Sequence, residues 1–162
     1  MKLSTRGRYG VTALFELALN YGRGVVPLRD IARHQGISEP YLEQLAKTLR
    51  QAGLVTSTRG AQGGYSLARP PEEITIAQAV EATEGPIALV DCLMAGSETK
   101  ASACEKAGTC VTRDVWARVC DSINQVLNSI TLGDLVKDYQ GEKDHGKKDF
   151  EISLKKGLTK NS

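Results

Sequence analysis

Three cysteines lie close together in the middle part of this chain of 162 residues. Eleven residues separate Cys92 from Cys104 and five separate Cys104 from Cys110, in a stretch rich in small and polar residues. Thiolates on such a segment can converge on a soft metal, and zinc or an iron-sulfur cluster would satisfy that chemistry. The spacing lacks the Cys-x-x-Cys pair typical of structural zinc. The pattern predicts a thiolate metal site, with idle surface thiols as the alternative.

The fourth cysteine, Cys120, falls on the apolar side of a predicted helix and is expected to be a small core residue. A thiol enzyme using Cys104 or Cys110 is a further alternative, but nucleophilic cysteine chemistry needs a nearby base. The chain has two histidines, His34 in its N-terminal part and His145 near its C-terminal end. We therefore expect a protein that is not an enzyme.

Composition places the chain among globular proteins with a single main domain, since 41% of its residues are hydrophobic and 25% are charged. No apolar run approaches the roughly 20 residues that cross a membrane, and no hydrophobic stretch follows the charged N-terminal residues. Four cysteines are too few for a disulfide scaffold. We therefore expect a cytoplasmic protein without a membrane partner.

The elements that must position the cysteines begin with three helices and a hairpin. The three-and-four spacing of apolar residues predicts a helix over residues 4–21, with Ser4 or Thr5 as N-cap. A second helix opens at Pro27 and ends at Gly36, and a third runs from Glu39 to about Gln51. Strand-like runs at 54–59 and 65–68 flank a glycine-rich turn and predict a hairpin.

The second half of the chain contains a short helix, an irregular stretch and a long helix. Residues 75–82 predict a helix with a capping box, whereas residues 85–112 show no steady period. Residues 113–130 carry a wide apolar stripe, which would pack on its copy in a symmetric dimer or against residues 9–21 of the same chain. From residue 140 onward the sequence is polar and lysine-rich, and we expect a flexible tail over 140–162.

The charges divide unevenly along the chain. Residues 1–70 hold ten Lys and Arg against four acids, and residues 71–139 hold five against eleven. Residues 140–162 hold six Lys against four acids. A basic N-terminal part is typical of nucleic-acid binding, because neutralising phosphates needs clustered cations, although solvated faces would give the same pattern.

The second and third helices fit a helix-turn-helix. Ala32 is small where the helices would touch, Gly36 can supply the positive φ of the turn, and the following hairpin has the place and composition of a wing. The fold class expected is therefore mainly α with a small β-hairpin wing: a winged helix-turn-helix domain plus a long dimerisation helix. The expected divisions are 1–84 for DNA binding, 85–112 for the cysteine loop, 113–139 for dimerisation, and 140–162 for the tail.

Double-stranded DNA operators are the expected partner, and the expected contacts fall into three groups. The first turns of the recognition helix would meet base edges through Ser38, Glu39, Pro40, Tyr41, Glu43 and Gln44. Gln44 can pair with adenine, and Glu43 can accept from cytosine and penalise wrong sequences. Wing residues would approach DNA closely, with Arg59 reaching the minor groove beside Gly60, Gly63 and Gly64. Phosphate contacts are expected from Arg6, Arg8, Arg29, Arg33, Lys47 and Arg50, each of which is otherwise an ordinary surface cation.

Six segments together resemble a known family of regulators. They are residues 1–10, 37–45, 53–55, 59–65, 110–116 and 131–135, combined with the three loop cysteines. The chain resembles the IscR family of iron-sulfur cluster regulators, within the winged-helix group that also includes NsrR and CymR, from residue 1 to about 138. The resemblance implies a homodimeric transcription factor whose Cys92, Cys104 and Cys110 hold a 2Fe-2S cluster, with 4Fe-4S less favoured. It also implies repression of cluster-assembly genes by the loaded form, with the assembly machinery as cluster donor.

The fourth cluster ligand is open, because the chain departs from the pattern of enterobacterial members. Those have a histidine three residues after the last cysteine, where this chain has Arg113, which cannot ligate. The NsrR branch uses an acidic residue of the first helix, at a place occupied here by Arg8. Candidates are Asp91, Glu105, Thr112, a group from the partner subunit or an exogenous thiol, with His145 the weakest. The nearest rival is a cluster-free CymR-like repressor of cysteine metabolism, controlled by a protein partner; that branch generally lacks the triple-cysteine loop.

Overall fold

A computed structural model describes residues 3–93 and 109–143 of the chain. Its elements, in chain order, are helices α1 (Thr5–Leu19), α2 (Leu28–Gln35) and α3 (Glu39–Gln51), strands β1 (Val55–Thr58) and β2 (Gly64–Leu67), and helices α4 (Ile76–Glu84), α5 (Val111–Ser129) and α6 (132–143). Short 3-10 turns lie at Pro71–Glu73 and Asp91–Leu93. The expected fold class, mainly α with a small hairpin, is confirmed.

The local signals that predicted the helix ends are visible in the structure. The Ser4 hydroxyl accepts a hydrogen bond from the Gly7 N–H at 3.3 Å and caps α1. Gly36 ends α2 with φ of 64°, a left-handed conformation that favours glycine. Thr75 and Gln78 form a reciprocal capping box at the start of α4. Each of these ends is therefore set by residues within four positions of it.

Helix α1 lies at the centre of the hydrophobic core. Its buried face meets α2, α3, β2 and α4, and the same core includes residues from both sides of the hairpin. The largest fully buried side chains come from five separate segments: Leu14, Ile31, Leu42, Leu49, Ile74 and Leu132. Burial of side chains this large stabilises a fold by about 1.5 to 3 kcal/mol each, so the core holds the first three helices and the hairpin as one unit.

The hairpin is a two-stranded antiparallel sheet with Val55 opposite Leu67 and Thr58 opposite Gly64. A further bridge ties β2 to the segment before α2. The Val26 N–H donates to the Tyr65 carbonyl at 2.8 Å, and the Tyr65 N–H donates to the Val26 carbonyl at 2.9 Å. The wing is thereby fixed to the entry of the helix-turn-helix.

Substituting alanine for Gly64 should destabilise the fold by about 1 to 3 kcal/mol, because the added Cβ has no room. An ideal Cβ at Gly64 would lie 2.5 Å from the Val26 carbonyl oxygen and 3.0 Å from the Pro27 nitrogen. Both are backbone atoms, which cannot turn aside as a flexible side chain can. Urea denaturation of the full chain measures the loss.

Gly141→Ala is the matched control for that measurement. A Cβ at Gly141 meets nothing within 4 Å, and residue 141 lies in α6. This variant should be neutral or more stable by about 0.5 to 1 kcal/mol, the usual effect of alanine in a helix. Equal stability of Gly64→Ala and wild type would show that the Val26 bridge tolerates displacement.

Helix α4 packs on α1 across two glycines. A Cβ at Gly10 would lie 2.6 Å from the Thr83 methyl group, and one at Gly7 would overlap the Glu84 carboxylate. The Glu84 Oε1 accepts from the N–H groups of Ser4 and Gly7, both at 3.0 Å, and from the Ser4 hydroxyl. No acid lies in the first turn of α1. The carboxylate of Glu84 therefore supplies the negative charge that stabilises the positive end of the α1 helix dipole.

The junction of α5 and α6 is tied to the start of α4. The Ile76 N–H donates to the Ile130 carbonyl, and the Leu132 N–H donates to the Ile74 carbonyl, each at 2.9 Å. The Asp134 carboxylate accepts from the N–H and hydroxyl of Thr131, and these hydrogen bonds lower the pKa of Asp134. Helix α5 therefore leaves the domain from a fixed anchor at its C-terminal end.

Two predicted boundaries differ from the observed ones. The long helix occupies Val111–Ser129 rather than 113–130, a shift of one or two residues at each end. Residues 140–143 continue α6, so the tail expected from residue 140 does not begin there. The rest of that segment, 144–162, lies outside the described residues. Among the helices that are described, none combines the length and apolar character needed to cross a membrane.

Candidate nucleic-acid interface and cysteine site

Helix α3 is held against the core by one face, which leaves the other face open. The side chains of the buried face are Leu42, Leu45, Ala46 and Leu49. Before it, Ile37 is buried in the turn and its N–H donates to the Ala32 carbonyl at 3.1 Å. The α2–turn–α3 unit thus has the packing of a helix-turn-helix, with α3 in the position of the recognition helix.

The predicted base-reading residues lie on the open face of α3. Ser38 is the N-cap residue, and its side chain makes no capping hydrogen bond. Exposed side chains follow it at Glu39, Pro40, Glu43 and Gln44. Tyr41 is half-buried and packs edge-on against Tyr9, with 6.0 Å between ring centroids. The structure brings these residues together on the first turns of one helix.

The six predicted phosphate-contacting cations differ in their surroundings. Arg6 donates to the Thr48 hydroxyl at 2.9 Å, and Arg50 donates to the Ser57 hydroxyl at 3.0 Å. The Arg8 guanidinium lies 5.9 Å from the ring centroid of Tyr9, and that of Arg29 lies 4.0 Å from Asp30. Arg33 and Lys47 are exposed. All six remain predictions as DNA contacts, and two of them, Arg6 and Arg50, are hydrogen-bonded to a side-chain hydroxyl of the protein.

A polar cleft separates the start of α1 from the recognition helix. Its volume is about 430 Å³, and Arg6, Gln44, Lys47 and Thr48 are among its lining residues. Two cations and an amide therefore face one concave surface beside the expected path of DNA. A phosphate group is the kind of ligand that such a surface attracts.

The wing presents one long cation and a glycine-rich turn. Arg59 is exposed, and Gly60 has φ of 117°, which an L side chain rarely adopts. Gly63 and Gly64 have structural reasons to be glycine, because a Cβ would lie 2.3 Å from the Thr58 carbonyl oxygen and 2.5 Å from that of Val26, respectively. Arg59 and Gly60 are thus placed at the tip, whereas the shape of the hairpin already explains the other two glycines.

Cys110 lies at the N-cap position of α5, with its thiol 3.2 Å from the Thr112 hydroxyl. Hydrogen bonds from the Thr112 side chain and then from the Arg113 backbone lower the pKa of the Cys110 thiol. The thiolate is the form that binds metals. These hydrogen bonds therefore raise the fraction of Cys110 in the ligating form, and Thr112, a candidate fourth ligand, is in direct contact with its thiol.

Cys92 is half-buried, as is Cys110, and lies in the 3-10 turn Asp91–Leu93 beside the exposed candidate Asp91. Cys104, Glu105 and His145 fall outside the described residues. Within residues 3–93 and 109–143, no group of three metal-ligating side chains comes together. The ligand set therefore stays a prediction.

Cys120 is buried in α5, as expected of a small core residue, with 6% of its surface exposed. The Leu89 N–H donates to its sulfur at 3.4 Å. Leu89 lies three residues before Cys92, so this contact attaches the start of the cysteine loop to the long helix. A cavity of about 550 Å³ lies next to Leu89, and its lining includes residues 84–89 together with Ile123 and Leu127 of α5.

Together, the helix-turn-helix, the hairpin after it and the long C-terminal helices define a winged-helix protein. Residues 3–138 match the Rrf2 family, described as iron-dependent transcriptional regulators, and the chain belongs to that family. The resemblance expected from the sequence is thereby confirmed. The proteins that are similar to this chain are regulators of transcription, which confirms that the chain is a regulator and not a thiol enzyme.

Relatives with two different names match at similar identity. The HTH-type transcriptional regulator IscR of Aliivibrio salmonicida is 38% identical over 162 residues, covering 100% of this chain and 93% of the relative. The HTH-type transcriptional regulator CymR of Bacillus subtilis is 42% identical over 144 residues, 89% of this chain and 96% of the relative. The solved structure of T. potens IscR is 46% identical, with a TM-score of 0.68 and coverage of 86% of this chain and 88% of that one.

Sequence reasoning missed the groups that connect the site to its scaffold. Thr48 and Ser57 hold two of the predicted DNA-contacting arginines, and Glu84 caps α1 from 80 residues away. The sequence gives a weak local signal for Thr48, because a threonine within a helix can donate to the carbonyl four residues earlier. Its hydroxyl donates in this way to the Gln44 carbonyl at 3.2 Å. For Glu84 the chain offers no local signal, because its partners are distant in sequence.

Proposed function

We propose that this protein is a cytoplasmic, iron-sulfur-sensing repressor that binds double-stranded DNA as a homodimer. The single observation that carries the DNA-binding role is the open face of α3, where Ser38, Glu43 and Gln44 are exposed, as is Arg59 of the wing. A recognition helix in the major groove with an arginine in the minor groove is the arrangement this surface fits.

Cluster binding is supported by the donor chemistry of the cysteine site. Two thiols of the loop, those of Cys92 and Cys110, are half-buried, and the pKa of the Cys110 thiol is lowered. Thiolates are the ligands that 2Fe-2S clusters take, and Cys92, Cys104 and Cys110 would hold the cluster with Asp91, Glu105 or Thr112 as candidate fourth ligand. Because the cluster is built from iron and sulfide, the fraction of protein that carries it would report the supply of both.

Regulation requires that the cluster favour one DNA-binding geometry over another. A ligand shifts such an equilibrium only by its differential affinity, and a coupling of about 1 to 3 kcal/mol corresponds to about a 5- to 150-fold change in DNA affinity. In this chain the loop is attached to α5 through Cys120 and to α1 through Glu84. The proposed targets are cluster-biogenesis genes, with the cluster-assembly machinery as donor.

Protein purified without air tests this proposal directly. We expect about two iron and two sulfide per chain, visible charge-transfer absorption, and a DNA affinity that changes at least about 5-fold when the cluster is removed. The probe is a duplex selected from a random-sequence pool by the cluster-loaded wild type. Colourless protein without iron, or equal affinity in both forms, would contradict the sensing role.

A second candidate is a cluster-free repressor of cysteine metabolism controlled by a protein partner. The specific observation that favours it is the similarity to CymR of Bacillus subtilis, whose identity matches that of the IscR relatives. The triple-cysteine loop distinguishes the two, since a cluster-free regulator does not need it. Under this alternative the purified protein binds the selected duplex without iron, and replacing the three loop cysteines leaves its affinity unchanged.

A further inference from the structure

Two arginines expected at DNA phosphates are each held by a neutral hydroxyl of the DNA-binding unit. The Arg6 Nη2 donates to Thr48 Oγ1 at 2.9 Å, and the Arg50 Nη1 donates to Ser57 Oγ at 3.0 Å. A guanidinium offers five N–H donors in a fixed plane, so a hydrogen bond to one of them restricts the direction of the others. The hydroxyls therefore influence where both cations point.

The two hydrogen bonds join the recognition helix to two different elements. Thr48 and Arg50 belong to α3, whereas Arg6 belongs to α1 and Ser57 to β1. One contact ties α3 to the start of α1, and the other ties it to the wing. In the wing, Ser57 pairs with Tyr65, which is itself bridged to the segment before α2.

Apolar packing alone does not set the orientation of α3 as closely as these hydrogen bonds can. Burial is non-directional, whereas a hydrogen bond weakens steeply when its angle departs from linear. Base contacts depend on side chains held within about 0.5 Å of the productive geometry. A small rotation of α3 against α1 or the wing would therefore reduce binding even though every DNA-contacting residue is still present.

We propose that Thr48 and Ser57 are positioning residues for DNA recognition, acting through Arg6 and Arg50. Their hydroxyls fix the recognition helix against α1 and against the wing, and neither needs to touch DNA. This inference rests on the proposed DNA-binding function. It differs from the simpler view in which Arg6 and Arg50 contact phosphates independently of any neighbour.

Thr48→Val and Ser57→Ala test the proposal, because each removes a hydroxyl without removing a charge. Loss of a single hydrogen bond predicts an affinity about 3- to 10-fold weaker for the selected duplex, measured by fluorescence anisotropy with the full chain. The slope of log K against log salt should equal that of the wild type, because both arginines keep their charge and the proposed effect is a changed orientation of α3. Loss of a phosphate contact would instead change the slope by about 0.9. Thr48→Ser keeps the hydroxyl and should restore the wild-type affinity.

Matched controls come from α1 and from the second strand of the hairpin. The Thr12 hydroxyl donates to the Arg8 carbonyl four residues earlier, as Thr48 does to Gln44, but it holds no arginine. Thr12→Val should therefore leave affinity unchanged. Ser66 pairs with Thr56 within the hairpin, so Ser66→Ala is the control for Ser57→Ala and should also bind as the wild type does.

A double-mutant cycle shows whether Thr48 acts through its arginine. In an Arg6→Gln background, Thr48→Val should weaken binding no further, because the contact is already lost. Additive losses, or wild-type affinity in both Thr48→Val and Ser57→Ala, would overturn the proposal. A wild-type protein that fails to bind any duplex would instead overturn the proposed function, so the two failures are distinguishable.

Discussion

Replacing Val115 with glutamate should convert the protein from a dimer to a monomer. Val115 is 52% exposed, and three further valines at helical spacing are exposed with it: Val111, Val119 and Val126. They form one stripe along α5, here called the valine stripe. The opposite side of α5 carries buried Cys120, so the stripe is not the face that packs on the domain.

The expected effect is large because a charge would replace an apolar contact at an interface. Burying an unpaired carboxylate is costly, and we expect the dimer dissociation constant to rise by about 100-fold or more. DNA affinity should fall by a comparable factor, since a dimer gains about 10²- to 10⁴-fold from binding two half-sites together. Sedimentation equilibrium measures the first effect, and anisotropy with the selected duplex measures the second.

Gln125→Glu is the matched control, because it adds the same charge at an exposed position on the polar side of α5. This variant should remain dimeric and bind DNA as the wild type does. A Val115→Glu protein that keeps its dimer mass would show that the valine stripe is not the subunit interface. Folding is not at risk in this comparison, since Val115 belongs to no buried cluster of the described domain.

The elements that could be predicted from sequence are those whose ends depend on neighbouring residues. Ser4, Gly36 and the Thr75 capping box each act within one helical turn, and periodicity identified the buried faces between them. The same holds for the helix-turn-helix, since small Ala32 and the left-handed Gly36 are local requirements of its turn. Interactions between residues close in sequence were thus enough to predict the fold and the exposed face of α3.

What sequence could not supply is the contacts between distant segments. Glu84 and Ser4 are 80 residues apart, and Arg6 and Thr48 are 42 apart, so nothing in either neighbourhood marks the pair. These contacts changed the interpretation of Arg6 and Arg50, which sequence reasoning treated as free cations. Gly63 and Gly64 changed for the same reason, because the carbonyl groups that exclude a Cβ are known only once the hairpin has folded.

Helix α6 shows a different limit of prediction from sequence, which concerns where the helix ends. Thr131 and Asp134 form a reciprocal cap at its start, a signal present in the sequence. The helix continues to residue 143 because Tyr139 packs edge-on against Phe15 and Lys143 lies 4.5 Å above the Tyr139 ring. The polar composition after Tyr139 suggested that order ends at residue 140, and tertiary packing overrode that local preference.

Replacing Cys110 with serine should reduce bound iron and sulfide to background. A neutral serine hydroxyl is a poor substitute for a thiolate, and Cys110 is the described cysteine whose pKa is lowered by its neighbours. Cys92→Ser and Cys104→Ser should give the same result, because a cluster held by three cysteines of one loop loses an anchor in each case. Iron and sulfide analysis of protein purified without air, with visible spectra, makes the comparison.

Cys120→Ser provides the control that separates ligation from folding. Cys120 is buried and accepts from the Leu89 N–H, and a serine oxygen can accept the same hydrogen bond. We expect this variant to keep its iron and sulfide while losing some stability. Thr112→Val distinguishes two roles of that hydroxyl: loss of the cluster would mark Thr112 as the fourth ligand, whereas retention with a raised Cys110 pKa would show that it only stabilises the thiolate. Full cluster content in Cys110→Ser would remove Cys110 from the ligand set and, with it, the structural basis for sensing at the start of α5.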